Sequence, residues 1–260
     1  MNLRTLPLLL WAIISLSACS SGDKDEIEPG TGPVDTTIVK TGVYTLANVA
    51  ADTVANSGSQ AKPLYYSLED NKVIPENQLQ TANWDIAFNG TYNSNIACNN
   101  GKALYSPGYG GPGKGGIYLV KDAEIDAQYY DAPNKPIKNV PARSLFDEAF
   151  TKVKVAPADD QFQTNKVIGL DYFSGSEDGW AYYDFYGQLF PDKPADSVGH
   201  VSYTLPRTVI VRTAKGNYAK LVVYSVYKGA PMLPTRSYKP GYISFKYAIQ
   251  KDGTKILDIK

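Results

Sequence analysis

The chain has one histidine and two methionines in 260 residues. A multi-histidine metal centre is therefore excluded, and a Ser-His-Asp triad could draw only on His200. Two cysteines, Cys19 and Cys98, can build neither a disulfide scaffold nor a four-cysteine zinc site. Net charge is lacking too: 26 Lys and Arg cancel 26 Asp and Glu. That leaves no basic footprint for nucleic acid and no cationic face for an anionic membrane. The marked apolar run at the start, Leu6 to Ala18, is too short to span a bilayer. At 43% hydrophobic and 20% charged residues, the bulk composition is that of a globular chain rather than a disordered one. What the sequence has in excess is tyrosine, 20 against 8 phenylalanines. Tyrosine suits half-buried sheet faces and amphipathic binding surfaces, so composition points to a β-rich extracytoplasmic protein.

The Leu6–Ala18 run follows a single charge, Arg4, and ends in Leu16-Ser17-Ala18-Cys19. Residues 1–18 read as a signal peptide whose small-residue cleavage site stands directly before a cysteine. This is the bacterial lipobox pattern, and it makes Cys19 the expected acylated first residue of the mature chain; the alternative is an ordinary signal peptide with an incidental cysteine. Lipid chains would hold the protein to a membrane through buried methylenes, without a spanning helix. Residues 19–38 open with Ser20-Ser21-Gly22-Asp23-Lys24-Asp25-Glu26 and continue in Gly, Pro and Thr. That composition reads as a flexible tether. Its acidic cluster resembles the export signal of lipoproteins carried to the outer face of the outer membrane, and reads equally as a solvated linker.

Residues 39–260 are expected to form one β domain. Tyr242–Ile249 alternates with Ile243, Phe245, Tyr247 and Ile249 on one face. Trp84, Ile86 and Phe88 are expected to share a face, with Asp85 and Ala87 between them. The runs Thr208–Thr213 and Tyr218–Tyr227 are joined through Ala214-Lys215-Gly216-Asn217, a hairpin with glycine available for positive φ. Asp252-Gly253 predicts a turn into a closing strand from Lys255 to Ile259. The one helix candidate spans about Ala142 to Val153. The expected class is all-β, with at most one or two short helices.

No catalytic motif survives inspection. The run Gly108–Gly115 comes near a phosphate-binding loop but places glycine where a magnesium-binding Ser or Thr is needed, and it opens into a strand, Ile117–Val120. It reads better as a glycine-rich hairpin loop. Gly175–Gly179 centres on Glu177 rather than on a nucleophilic serine. Asp159-Asp160 and Glu177-Asp178 are neighbours in sequence and read as solvated turn residues. Cys98 has no partner once Cys19 is lipidated and is expected to be a buried or semi-buried free thiol.

Five stretches in order resemble the HmuY-like family of haem-binding lipoproteins of Bacteroidetes. They are Trp84-Asp-Ile-Ala-Phe88 with a polar loop to Asn100-Gly101, then Pro112–Gly116, then Phe146-Asp-Glu148 with Ala156–Asp159. The fourth runs from Gly179-Trp-Ala-Tyr-Tyr183 through His200 to Val209–Lys220, and the fifth is Gly241–Tyr247. The resemblance spans roughly residues 40–255. It implies an all-β fold that clamps haem between loops at one end, a non-enzymatic role, and delivery of haem to a TonB-dependent outer-membrane receptor. It also implies a pair of histidine or methionine ligands, which this chain lacks: the mature sequence has His200 and Met232 only. Asn89, where a ligand would be expected after the Trp84–Phe88 strand, is a poor one. The remaining candidates are His200, Met232 and Tyr92, since imidazole, thioether and phenol all bind haem iron. For His200 a structural hydrogen-bonding role is the stronger reading. The rival class is a cofactor-free surface module presenting tyrosines to glycan or protein.

Overall fold

Strands form where β-branched and aromatic residues alternate, and their pairing sorts them into three sheets. The computed structural model describes residues 40–54, 61–130, 137–171 and 179–260. The signal segment 1–18, Cys19, the tether 19–38 and the Glu177-Asp178 pair lie outside the described residues. Residues 38–260 cluster as one compact unit.

The strands are β1 Gly42–Ala50, β2 Leu64–Ser67, β3 Lys72–Ile74, β4 Ile86–Asn89, β5 Asn95–Cys98 and β6 Gly116–Leu119. They continue with β7 Leu170–Asp171, β8 Ala181–Asp184, β9 Val201–Thr204, β10 Val209–Arg212, β11 Tyr218–Tyr227 and β12 Pro240–Gln250. The first sheet is antiparallel, in the order β1-β12-β11-β10-β6, and the second is β3-β2-β4-β5. The third, β7-β8-β9, joins β7 and β8 in parallel and β8 and β9 antiparallel. Ile86, Phe88 and Ile96 of the second sheet meet Leu221, Val223, Ile243, Phe245 and Tyr247 of the first in the main core. Phe245 is the joint: Tyr66 packs edge-on to it at 5.3 Å and Phe88 lies 5.7 Å away.

The all-β reading holds, with three short α-helices among the described residues: α1 Ala123–Asp126, α2 Arg143–Lys152 and α3 Ala195–Val198. Two of them are single turns of four residues, too short to leave a 3.6-residue period in the sequence. Only α2, the expected helix, has an apolar face, with Phe150 packed on Val222 and Ala248 of the first sheet.

Four local expectations change. Trp84 precedes β4 and does not share a face with Ile86 and Phe88; it packs with Ala87, Ala97 and Tyr65, and its Nε1–H donates to Leu79 O at 2.9 Å. The cause is the next residue. The buried Asp85 carboxylate accepts from the backbone N–H groups of Leu68, Glu69 and Ala214 at 2.7, 3.1 and 2.9 Å, so it fastens β2 and the β10–β11 turn before pairing begins. The glycine-rich stretch is not a simple hairpin loop but a crossing from β5 in the second sheet to β6 in the first. It is closed by the antiparallel bridge Asn100↔Lys114. Gly101 is required there, because a Cβ would sit 1.7 Å from Gly111 O. The Lys255–Ile259 stretch does not pair with β12. Ile256 bridges Val155 instead, which buries Leu257 beside Val153, Phe162 and Tyr218. Asp159 is committed to structure, accepting from Tyr218 Oη at 2.7 Å and pairing with Lys255 at 2.9 Å.

Lys220 on β11 is a buried cation with a structural task. Its Nζ donates to Phe150 O at 2.9 Å and Val153 O at 2.6 Å, closing carbonyls at the C-terminal end of α2. Burial pulls its amine down to about 8. The unfolded chain holds that proton up to about pH 10.4. Above pH 8 the unfolded state therefore binds more protons, and the Lys220 contribution to stability rises with pH. Relative to Lys220→Met, the parent is expected to gain about 1–2 kcal/mol between pH 8 and 9.5 in urea unfolding. A pH-independent difference would contradict this assignment.

Candidate functional site

The third sheet brings together two of the three candidates. Tyr92 lies in the 3₁₀ turn Thr91–Asn93 that follows β4. Asn93 is buried there and pins the turn, its Nδ2 donating to Lys62 O at 2.7 Å and Phe88 O at 3.1 Å. The pinning holds Tyr92 at φ +53°, a left-handed conformation that is a genuine outlier for a bulky side chain. His200 follows α3 and Gly199 and is also left-handed, at φ +57°. Its backbone N–H donates to Phe185 O at 3.3 Å, which closes the turn between β8 and β9.

Between the two stands Tyr183 of β8. Its ring centroid is 6.5 Å from that of Tyr92 and 6.1 Å from that of His200. The Tyr183 hydroxyl is hydrogen-bonded to His200 Nδ1 at 2.9 Å. His200 Nε2 has no hydrogen-bond partner among the described residues. The Phe185 ring meets the imidazole edge-on at 4.4 Å, and Tyr186 stacks edge-on to Phe185 at 4.7 Å. Tyr92, Tyr183, Phe185 and His200 are half-buried and Tyr186 is exposed. Asp184 fixes the loop that carries Phe185 and Tyr186, its carboxylate accepting from Gln188 N–H at 2.8 Å and Leu189 N–H at 3.0 Å. Asn89 ends β4 opposite Asn95 as a strand pair.

Met232 is elsewhere. It lies 41% exposed in the β11–β12 connection and lines a shallow cleft with Arg143, Phe146, Ser202, Thr204 and Tyr224. That lining includes none of Tyr92, Tyr183 and His200. Arg143 shapes the cleft by donating to Tyr224 O at 2.8 Å and Ala230 O at 3.2 Å. Cys98 is a buried thiol of β5 whose pKa burial pushes up to about 12, so it stays protonated and inert. Among the described residues no three His, Cys, Asp or Glu side chains converge on a metal-ion site.

The donor chemistry suits haem. An imidazole nitrogen with no protein partner is of the donor type that haem iron takes, and flat aromatic rings suit a porphyrin face. Sequence reasoning missed Tyr183, Phe185 and Tyr186. Tyr183 sits in the Gly179–Tyr183 stretch, but its relation to His200 depends on the β8–β9 register, which sets Tyr183 opposite Ser202.

The third sheet is held by a buried cation, Arg207. Its guanidinium donates to Asp171 of β7 at 3.1 Å, Gly179 O at 2.6 Å, and Asp126 of α1 at 3.0 and 3.2 Å. Tyr130 Oη donates to the same Asp171 carboxylate at 2.6 Å. Two further bonds dock β9 on β11: Ser202 N–H donates to Tyr227 Oη, and Thr204 Oγ1 donates to Tyr224 O, both at 2.9 Å.

The family model for the HmuY protein matches residues 59–247, most of the chain and all of the cluster just described. The chain belongs to the HmuY family. The HmuY family is non-enzymatic, so the expectation that this chain is not an enzyme stands. Similar solved structures include the apo HmuY analog of Tannerella forsythia (14% identity, 83% of this chain and 100% of that one, TM-score 0.35). A Bacteroides vulgatus protein assigned as HmuY-like and heme-binding gives 12% identity, 82% and 96% coverage and a TM-score of 0.37. Apo PinO of Porphyromonas gingivitis gives 12%, 82%, 98% and 0.31. All three scores are below 0.5, so membership rests on the sequence match. Comparison with curated proteins gives no significant match.

Because Asp171 is fully buried, removing its cation leaves an uncompensated charge. Arg207→Ala is expected to lower unfolding stability by about 3–5 kcal/mol, read from urea titration. A loss below about 1 kcal/mol, the range of exposed pairs, would show that the cluster does not hold the sheet.

Proposed function

We propose that this chain is a haem-binding, lipid-anchored surface protein that takes up haem at the Tyr92–Tyr183–His200 cluster and passes it to a TonB-dependent outer-membrane receptor. The observation that carries the reading is His200: one ring nitrogen is held by Tyr183 and the other has no partner, inside a half-buried aromatic wall. His200 is the iron ligand in this reading. Tyr92, whose ring also neighbours Tyr183, is the candidate oxygen donor, and Met232, which lines a cleft that does not include His200, is not a ligand in this reading. Membership of the HmuY family supports the reading. When bound, haem supplies an iron centre with open axial positions; the chain supplies the imidazole and the aromatic enclosure.

The lipobox at Leu16–Cys19 supports anchoring through acylated Cys19, and the acidic residues that follow support an outward-facing outer-membrane location. No helix among the described residues is long and apolar enough to cross a membrane. One observation favours the cofactor-free alternative, a surface module binding glycan or protein: the glycine-rich crossing exposes Leu104, Tyr105 and Tyr109 at 60%, 75% and 50%.

Titrating haemin into the purified mature chain decides between the two. A Soret band is expected in the parent and in Met232→Ala, strongly weakened in His200→Ala and altered in Tyr92→Phe. No Soret change in the parent, oxidised or reduced, would reject haem binding and leave the surface module. Localisation has its own test. Cys19→Ala is expected to leave the membrane fraction and appear soluble, and persistence with membranes would reject the lipid anchor.

A further inference from the structure

We infer that the β11–β12 loop, residues 228–239, is a docking surface for an acidic protein; where that partner is met follows from the surface-protein reading above, but not from haem. From Ser197 to Lys251 the sequence has no Asp or Glu and nine Lys and Arg. Five of the nine, Arg207, Arg212, Lys215, Lys246 and Lys251, pair with carboxylates from other parts of the chain. A sixth, Lys220, is buried on carbonyls of α2. Lys228, Arg236 and Lys239 remain, all in this one loop and none with a carboxylate partner among the described residues. Asp196 stands next to Ser197, whose carbonyl accepts from the Arg236 backbone N–H at 2.9 Å, yet it does not pair with the Arg236 guanidinium. Between these cations Met232, Leu233 and Tyr238 are exposed at 41%, 53% and 41%. Exposed methionine, leucine and tyrosine rimmed by arginine and lysine have the composition of a protein-binding patch.

The loop is held in shape before any partner arrives. Lys228 N–H donates to Lys239 O at 2.9 Å, Gly229 N–H to Asn48 Oδ1 at 2.8 Å, and Arg143 to Ala230 O at 3.2 Å. Pro231 and Pro234 restrict the backbone on either side of Met232 and Leu233. A patch fixed in this way loses little conformational freedom on binding. Its place in the fold selects a protein over a membrane. The chain enters β1 at Gly42, opposite Ile249, whereas the loop follows the Tyr227↔Pro240 pair, near where β1 ends with Ala50 opposite Tyr242. The nine residues of β1 put roughly 30 Å between that entry, on the Cys19 side, and the loop. Carboxylates on the partner are the counter-charge that three unmatched cations favour. The bond from Arg236 to Ser197 also fastens the loop to α3, three residues before His200, so the docking surface adjoins the candidate haem site.

The test is site-specific photocrosslinking of the full chain, with p-benzoylphenylalanine replacing Leu233, in outer membranes isolated from the cells that make it. Mass spectrometry of the adduct is expected to name one other outer-membrane protein, joined within a segment that carries Asp and Glu. Combining Lys228→Glu, Arg236→Glu and Lys239→Glu should lower the adduct about tenfold or more, whereas Lys102→Glu, on the glycine-rich crossing, should leave it at the parent level. Raising the salt to about 1 M should lower the parent adduct in the same way, without any change to the fold. The triple variant should keep the urea midpoint and the haemin response of the parent, which separates lost docking from lost structure. Adducts only to lipid or to a second copy of the chain would overturn the inference, as would no adduct at all or a yield indifferent to both salt and charge reversal. A parent that binds no haemin refutes the haem reading alone, and the crosslink map still decides this one.

Discussion

A guanidinium buried among carboxylates holds the third sheet, whose middle strand carries Tyr183 of the candidate site. Arg207 stands just before β10, on the strongly paired side of the molecule, while its partners Asp171 and Asp126 belong to β7 and α1. The third sheet has three short strands, which on their own would be marginal. Charge-assisted bonds from one rigid fork hold its first strand and the chain entering its second at Gly179. Burial alone would pull the Arg207 pKa down; Tyr129, Asp126 and Asp171 outweigh that and hold it up. The cation therefore stays charged, and β8 is delivered to the place where Tyr183 meets His200.

Around that meeting point the chain accepts local strain. Tyr92 and His200 are both non-glycine residues at positive φ, each locked by its own turn, and both face Tyr183. Strain of this kind persists where the surroundings over-determine it, and it gathers at ligand clamps. The chain's one histidine is set beside the Tyr183 phenol, and Met232 lines a cleft whose lining does not include His200.

Much of the fold was legible because alternation is a backbone property. Ile243, Phe245, Tyr247 and Ile249 do line the main core, and the β10–β11 hairpin turns on Gly216 at φ +96°. The readings that changed depend on partners far away in sequence. Trp84 looks like part of a strand until Asp85 is seen to bind the turn at Ala214, and Ile256 looks like a hairpin arm until its bridge to Val155 is seen. The site divides the same way. His200 and Tyr92 stand out by chemistry, in a chain with few alternatives. Tyr183 is one tyrosine among 20, and only the β8–β9 register shows that its hydroxyl reaches an imidazole 17 residues on. Arg207 carries no periodic signal at all.

The central claim is that His200 Nε2 is where iron would bind, and the most direct measurement of it is an iron anomalous difference map from crystals of the mature chain grown with haemin. The account predicts a single strong peak beside His200 Nε2, with the porphyrin lying against Phe185 and its neighbours. A peak in the Met232 cleft, or iron held with His200 still distant from it, would contradict the account.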